Sequence, residues 1–336
     1  MRLLFIVLLS LCSAPLYAAH CSLQGGGVQT YNFNLNFDSQ QNYIGYKTGW
    51  QQQKASGSYK IGGACNTTDN TYFTATTGET LTYNFTDGNG EWYDIGGNDY
   101  LQIASQIMVY NARNGGGFRN VPFTDVQNDC SSALGCGSFA TTGSSVKINL
   151  RVKRKFVGAS WVNHIPIFYL YANQGGRGQG TGSPFVIGYL TAKITVPQSC
   201  EINAGQIVSF NFGNIPARQF SEAGPGGRPA GIAPQSKTLA IQCKNIAAQA
   251  LLSLRIEADT AAGNMLVSDN PDAGFIIADA SGKPLTPNTL NSRIQFALDD
   301  NASASVGIRA WPVSVTGRKP REGEFTTRGY LRVDFD

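Results

Sequence analysis

Residues 325–336 (FTTRGYLRVDFD) decide how this chain is read. Taken as a strand, they put Gly329, Leu331, Val333 and Phe335 on one face. Tyr330, Arg332, Asp334 and Asp336 fall on the other. That period of two predicts a half-buried β-strand. The sequence stops one residue after its last apolar position, so the strand is expected at a sheet edge or beside a partner. Working upstream, Cys200 and Cys243 bracket two more short apolar runs, 207–212 (IVSFNF) and 239–241 (LAI), each predicted as a strand.

The same signal recurs through the C-terminal half. Strands are predicted at 251–258, 275–278, 294–298 and 306–311, with a Gly/Pro loop at 223–234. That strand density fits an immunoglobulin-like sandwich. In the N-terminal half, Tyr31, Phe33, Leu35 and Phe37 alternate with Asn32, Asn34 and Asn36. Further strands are predicted at 80–85, 101–110, 146–156, 165–171 and 185–196, with a helix competing at 101–110. Short strands between Gly- and Asn-rich turns argue for a second β-sandwich, so the fold class is all-β. The boundary is expected at 196–199 (VPQS), where Pro197 cannot continue a ladder. The predicted domains are therefore 20–196 and 197–336.

A length of 336 residues suits two domains. Residues 1–19 read as a secretory signal, with Arg2, an apolar run at 3–11 and small residues ending Tyr17-Ala18-Ala19. No later run is long and apolar enough to cross a bilayer. Cys12 leaves with the signal, and six cysteines remain, an even number that reads as disulfides in a secreted chain. The simplest of the 15 possible pairings is Cys21–Cys65, Cys130–Cys136 and Cys200–Cys243. Each long loop so closed is worth about 4 kcal/mol, the short one about 2. A net charge of +4 is too mild to imply nucleic acid.

Enzyme signals are weak. The only histidines are His20 and His164, and no nucleophile elbow or His-Glu-x-x-His motif is present. Asp94 and Asp99 are the one candidate carboxylate pair, and solvated turn acids are commoner. No spacing supports a metal site, and no cofactor is expected. The Gly-rich segment 173–183 (NQGGRGQGTGS) lacks the Lys-Ser/Thr of a phosphate loop and reads as a flexible connection.

The stretch best suited to recognition is 86–100 (TDGNGEWYDIGGNDY). It gathers Trp92 and Tyr93 with Asp94, Asn98 and Asp99, an aromatic face for a pyranose with acceptors and amides for its hydroxyls. An ordinary polar hairpin with a core Trp reads the same way. A second candidate is Arg119 and Asn120 with Asp125, Asn128 and Asp129, beside the expected Cys130–Cys136 loop, and a third is 161–164 (WVNH). The basic run 151–155 (RVKRK) suits either a solvated strand face or an acidic glycan.

A cysteine opening SCEINAG, the IVSFNFG run, a second cysteine in LAIQC and the alternating C-terminal strand together resemble a pilin domain of chaperone–usher fimbriae. That family usually ends on a penultimate Tyr, where this chain has Phe335. The length of what precedes Cys200 makes the whole resemble a two-domain tip adhesin with an N-terminal lectin-like domain. The resemblance implies a C-terminal fold that lacks its last strand. An assembly chaperone of the periplasm would fill the groove along Gly329, Leu331, Val333 and Phe335, and a strand from the adjacent subunit would replace it at the outer-membrane usher. It also implies a host glycan as ligand and a place at the fimbrium tip, on the cell surface. A minor structural or adaptor subunit without a sugar site is the alternative. Some fimbrial lectins join the middle of the domain, which makes Cys65–Cys136 a rival pairing.

Overall fold

A computed structural model describes residues 19–24, 27–55, 60–63, 65–66, 68–135, 141–178 and 180–336. The expected signal segment, save Ala19, and Cys136 lie outside them. Two compact units are present. The first comprises Met1–Leu35, Gly45–Lys153 and Trp161–Lys193. The second comprises Asn36–Ile44, Arg154–Ser160 and Ile194–Asp336. Two short pieces of the N-terminal half thus belong with the C-terminal half. Asn42 donates to the Phe156 carbonyl (2.8 Å), and the Gly158 amide donates to the Gln198 carbonyl (2.6 Å).

Among the described residues the first unit is built from thirteen strands. They are β1 (Ala19–Gln24), β2 (Val28–Asn36), β3 (Gln51–Lys54), β4 (Lys60–Gly63), β5 (Thr71–Thr77), β6 (Leu81–Asp87), β7 (Gly90–Ile95), β8 (Leu101–Val109), β9 (Gly117–Asn120), β10 (Phe123–Gln127), β11 (Ser145–Val152), β12 (Ala159–Gln174) and β13 (Val186–Thr195). A seven-stranded sheet runs β10-β5-β12-β1-β4, with β13 beside β12 and β2 beside β13. A six-stranded sheet runs β3-β11-β8-β7-β6, with β9 beside β8. Alternation drives the packing. On β13, Val186, Leu190, Ala192 and Ile194 are buried while Ile187, Tyr189, Thr191 and Lys193 are partly exposed. Tyr31, Phe73, Phe168 and Phe185 fill the core, and a Cβ on Gly188 would come within 2.2 Å of the Phe168 ring. The segment in which a helix competed is strand β8. It lies between β11 and β7 and is buried on nearly every residue, which erased the alternation that would have marked it.

The second unit carries β14 (Ser199–Ile202), α1 (Ala217–Ala223), β15 (Gln235–Lys244), β16 (Leu251–Ala258), β17 (Ala261–Ala262), β18 (Met265–Val267), β19 (Ala273–Asp279), β20 (Ile294–Ala297), β21 (Ser303–Ser314) and β22 (Gly329–Phe335). One sheet runs β14-β15-β21-β19-β18-β17 and the other β20-β16-β22. Leu239, Ile241, Leu252, Leu254, Val306 and Ile308 pack between them.

Two expectations need correction here. Residues 207–212 pair with no strand. Their side chains still alternate, with Val208, Phe210 and Phe212 half-buried and Ile207 94% exposed. The pattern of a strand is present and its ladder is not. The polar face of β22 is not solvated throughout either. Asp334 is 1% exposed and accepts from Arg255 Nε at 2.6 Å.

Cys21 is bonded to Cys65 and Cys200 to Cys243. The rival Cys65–Cys136 pairing is thereby excluded. Cys130 is disulfide-bonded, and its expected partner Cys136 is not among the described residues.

Candidate functional site

The stretch 86–100 folds as a saturated network. Trp92 is fully buried, stacked on Phe85, and its Nε1 donates to Asp87 Oδ1 at 2.9 Å. Burial alone would raise the Asp87 carboxyl. Lys47, Trp92 and the Asn89 amide together outweigh it and hold the group far below its ordinary value. Tyr93 is buried and donates to Glu91. Burial first, and that carboxylate second, push its phenol up. Strand register sets the next contacts, since Arg151 pairs with Gln102 and Gln102 with Asp94. Arg151 donates to Gln102 at 2.6 Å, and Gln102 donates to Asp94 at 2.8 Å. Asp94 also accepts from Lys153 (2.8 Å) and Asn84 (3.2 Å). Burial raises Asp94 most, but these donors hold it below the usual carboxylate range. Asn98 caps a turn, accepting from the Tyr100 and Leu101 amides and donating to the Trp161 carbonyl. Asp99 and Arg119 are exposed. Trp92 therefore offers no ring face to a ligand, and Asp94 is already spoken for. The basic run 151–155 is likewise not a free patch, because Arg151 and Lys153 are held by Gln102 and Asp94.

Asp125 goes elsewhere. It lies at one end of the seven-stranded sheet and accepts the Gly178 amide at 2.8 Å. There, β-ladder register lines up Gln127, Tyr72, Asn173 and His20 on four adjacent strands, β10, β5, β12 and β1. The glycine-rich loop at 175–183 returns over this row. Arg177 sits 5.6 Å above the Tyr72 ring and donates to Gln127 Oε1 at 3.3 Å. Asn173 is 1% exposed and donates to the Gly180 carbonyl at 2.8 Å, while its Oδ1 is buried with no partner. Gly182 lies against His20, so that a Cβ there would come within 2.6 Å of His20 Nδ1. On the opposite face, Gln174 donates to the Asn66 carbonyl (2.8 Å) and accepts the Asn66 amide (3.1 Å). The Asn66 side chain donates to Asp69 (2.7 Å) and accepts the Thr68 and Asp69 amides. The Cys21–Cys65 bridge ties this turn to β1.

The sheet end thus gathers amides, carboxylates, a ring and a guanidinium. That mixture orients hydroxyl-rich ligands. Asn66, Asn173 and Gln174 were missed in the sequence. Asn173 and Gln174 stood there only as the start of a flexible loop. Their one signal was the Asn-Gln pair ahead of the glycines; strand order alone joins them to Asn66 and Tyr72.

A second feature lies in the second unit. β22 pairs with β16 on one side only. Val333 is 7% exposed, and Leu331 and Phe335 are half-buried against the core cluster. Val208 and Phe210 of the unpaired run 207–212 pack against that same cluster. A strand with a ladder on one side and an extended run with none therefore border one apolar core, the arrangement an added strand would complete. At the head of β22, a Cβ on Gly329 would meet Leu266 Cδ2 at 2.7 Å, so a larger residue there would have to displace that side chain. Among the described residues no group of three His, Cys, Asp or Glu side chains is placed to hold a metal ion.

Residues 189–336 match the family model described as "Fimbrial protein". The chain is 53% identical over 199 residues to the "Type 1 fimbrin D-mannose specific adhesin" of Salmonella typhimurium (strain LT2), covering 59% of each chain. It is 30% identical over 260 residues to "Protein LpfD" of the same strain, covering 73% of this chain and 70% of that one. It is also 30% identical over 246 residues to the "Probable minor fimbrial subunit LpfD" of Escherichia coli O157:H7, covering 70% and 68%. On these matches the chain belongs to the fimbrial protein family, the non-enzymatic subunits from which chaperone–usher pili are built on the cell surface.

Proposed function

We propose that this chain is a fimbrial tip adhesin. Its N-terminal domain, 20–196, binds a host-surface carbohydrate non-covalently. Its C-terminal domain, 197–336, anchors to the shaft through a strand donated by the adjacent subunit. A periplasmic chaperone holds the open edge of β22 until the outer-membrane usher exchanges it. The observation that carries the sugar reading is Asn173. Its amide oxygen is buried without a partner, at a cost of about 1–3 kcal/mol that the fold retains beside the more exposed polar groups of the row. The surrounding Asp125, Gln127, Tyr72 and Arg177 supply further acceptors, a donor and a ring. The 53% identical relative is named for D-mannose, which makes mannosides the first ligands to try.

The alternative, a minor subunit without a sugar site, is favoured by the name of the E. coli relative. A glycan array separates the two. The full chain, carrying a donor strand in cis, is expected to bind, and Asn173→Ala to weaken binding about tenfold or more without loss of the folded state. An array on which the folded chain binds nothing leaves the minor-subunit reading standing.

A further inference from the structure

The outer face of the seven-stranded sheet carries a line of aromatic rings, of which only Tyr72 belongs to the sheet-end cluster. Inward positions on β5, β12 and β13 are buried apolar residues, so the alternate positions face outward. Those positions hold Tyr72, Tyr171, Tyr169, Tyr189 and Trp161, none of them fully buried. His164 adopts a left-handed backbone (φ 47°), which breaks the alternation and turns its ring outward. The ring then stacks on Tyr189 at 4.4 Å and an interplanar angle of 5°. Trp161 is 49% exposed, with Lys193 Nζ 4.7 Å from its ring centroid. Tyr169 donates to Glu79. That bond, then burial, then the nearby Tyr189 and Tyr171 phenols, push its own phenol up to about 12.

Register makes the line continuous with the sheet-end cluster. Tyr171 pairs with Thr74, and Asn173 pairs with Tyr72. From Asn173 back to Trp161, β12 extends about 40 Å at roughly 3.3 Å per residue. Outward rings two residues apart on one strand stand about 7 Å apart, a repeat suited to successive sugar rings. Rows of small polar groups flank the line. Thr74 and Thr76 lie on β5, and exposed Asn32, Asn34 and Asn36 lie on β2 at the other side of β13. Rings able to cover the apolar faces of pyranoses lie between hydroxyls and amides able to meet their edges. Among the described residues the line carries two acids, Glu79 and Asp125, and two cations, Arg177 at the Asp125 end and Lys193 at the other. A neutral or weakly anionic polymer matches that charge; a polybasic or strongly polyanionic one does not.

We propose that this aromatic line is an extended subsite that takes the successive residues of a linear oligosaccharide, one end of which is held at the Asn173 row. This rests on the reading that the sheet end binds sugar, and extends it to the class of glycan bound. The test uses the full chain with its donor strand in cis and a length series of linear manno-oligosaccharides, alongside the glycan array. Wild-type affinity is expected to rise about tenfold or more from the shortest to the longest member. In Tyr171→Thr and Tyr189→Thr, which keep β-compatible side chains, and in Trp161→Ala, that gain is expected to vanish while binding of the shortest sugar persists. Asn173→Ala is expected to weaken every member.

Affinity independent of length, or a gain that survives all three line variants, overturns the extended subsite and leaves the sheet-end site intact. Failure of the folded wild type to bind any array glycan overturns both. Loss of length dependence with Asn173→Ala unaffected keeps the line and removes the sheet-end row. Concentration-dependent self-association that disappears in the line variants, with no effect of glycan length, makes the face an interface between copies and overturns the proposal.

Discussion

The two units end their outer strands in opposite ways. In the first, β11 would be an edge, but residues 45–54 run beside it. The Gly45 amide donates to the Val152 carbonyl (2.8 Å), the Thr48 amide to Leu150 (2.9 Å), and β3 continues the ladder. In the second, β22 has the same alternating pattern and a ladder on one side only. Chain supplied from within runs beside one strand, and the other has a ladder on one side only, beside half-buried Leu331 and Phe335. An edge of that kind is an aggregation hazard unless a partner covers it. The proposed dependence on another chain is therefore assigned to β22 of the second unit.

That contrast breaks most readily at β22, and the largest effect is expected there. Expressed without a chaperone or donor strand, the chain should aggregate or be degraded. With the N-terminal extension of a neighbouring subunit fused in cis, it should be a soluble, cooperatively melting monomer. Three large side chains entering the edge contribute about 1.5–3 kcal/mol each, comparable with the 5–15 kcal/mol stability of a whole domain. Leu331→Asp and Val333→Asp should weaken chaperone capture in a pull-down. A monomeric, high-melting chain with no added strand would show the edge needs no partner.

The covered face of β22 gives the next effect. Arg255 and Asp334 are 4% and 1% exposed, and Arg255 also meets Glu257 at 2.7 Å. Arg332 donates to the Ala159 carbonyl (3.3 Å) and Arg154 to that of Phe335 (3.0 Å), so 154–160 covers this polar side. Removing one member of a buried pair strands the other. Asp334→Ala should cost about 3–5 kcal/mol in chemical denaturation of the strand-complemented chain. Asp334→Leu with Arg255→Met should recover most of that loss. Equal losses in the single and double variants would mean the ions contribute through their own attraction and not through a stranded charge.

In the first unit the corresponding test is Trp92. Trp92→Ala should destabilise by about 3–5 kcal/mol and leave glycan affinity unchanged at temperatures where the domain is folded. A large affinity loss without a shift in melting temperature would return the ligand site to β7.

How far the sequence carried differs between these regions for physical reasons. Leu251–Ala258 was predicted with its observed bounds, because apolar Leu252, Leu254, Ile256 and Ala258 alternate with polar Ser253, Arg255 and Glu257 although both faces are largely buried. Residues 207–212 showed the same alternation yet no ladder, since pairing depends on a partner that alternation does not encode. Trp92 and Asp94 had the composition of a sugar site, and composition is blind to whether donors are already used. Only register revealed Gln102 between Asp94 and Arg151. Asn173 lay in a stretch read as mobile because glycines follow it. Tyr72 is brought beside it, and Gln127 one strand further on, by the order β10-β5-β12-β1, which no local pattern contains.

The smallest expected effect is the pH response of the saturated face in the first unit. Asp87 and Asp94 both titrate below their ordinary values in the folded state. A depressed folded pKa contributes stability that is complete above the unfolded value, about 3.9 for Asp, and is lost as pH falls through the folded value. The first unit's melting temperature should therefore hold near neutrality and fall as pH drops below about 4. Asp94→Asn removes one of the two groups. Near neutral pH it should be less stable than wild type by about 1 kcal/mol or less, because Lys153 and Asp94 are 43% and 30% exposed and water screens them. On acidification the two curves should converge, since wild-type Asp94 is then protonated and no longer attracts Lys153. High salt should narrow the gap at neutral pH as well. Glycan affinity should be the same in both proteins throughout, because Asp94 lies on the six-stranded sheet and the proposed sugar row on the seven-stranded one. A gap that widens toward low pH would reverse the assigned sign of the Asp94 shift, and an affinity loss in Asp94→Asn at neutral pH would move the ligand from Asn173 to β7.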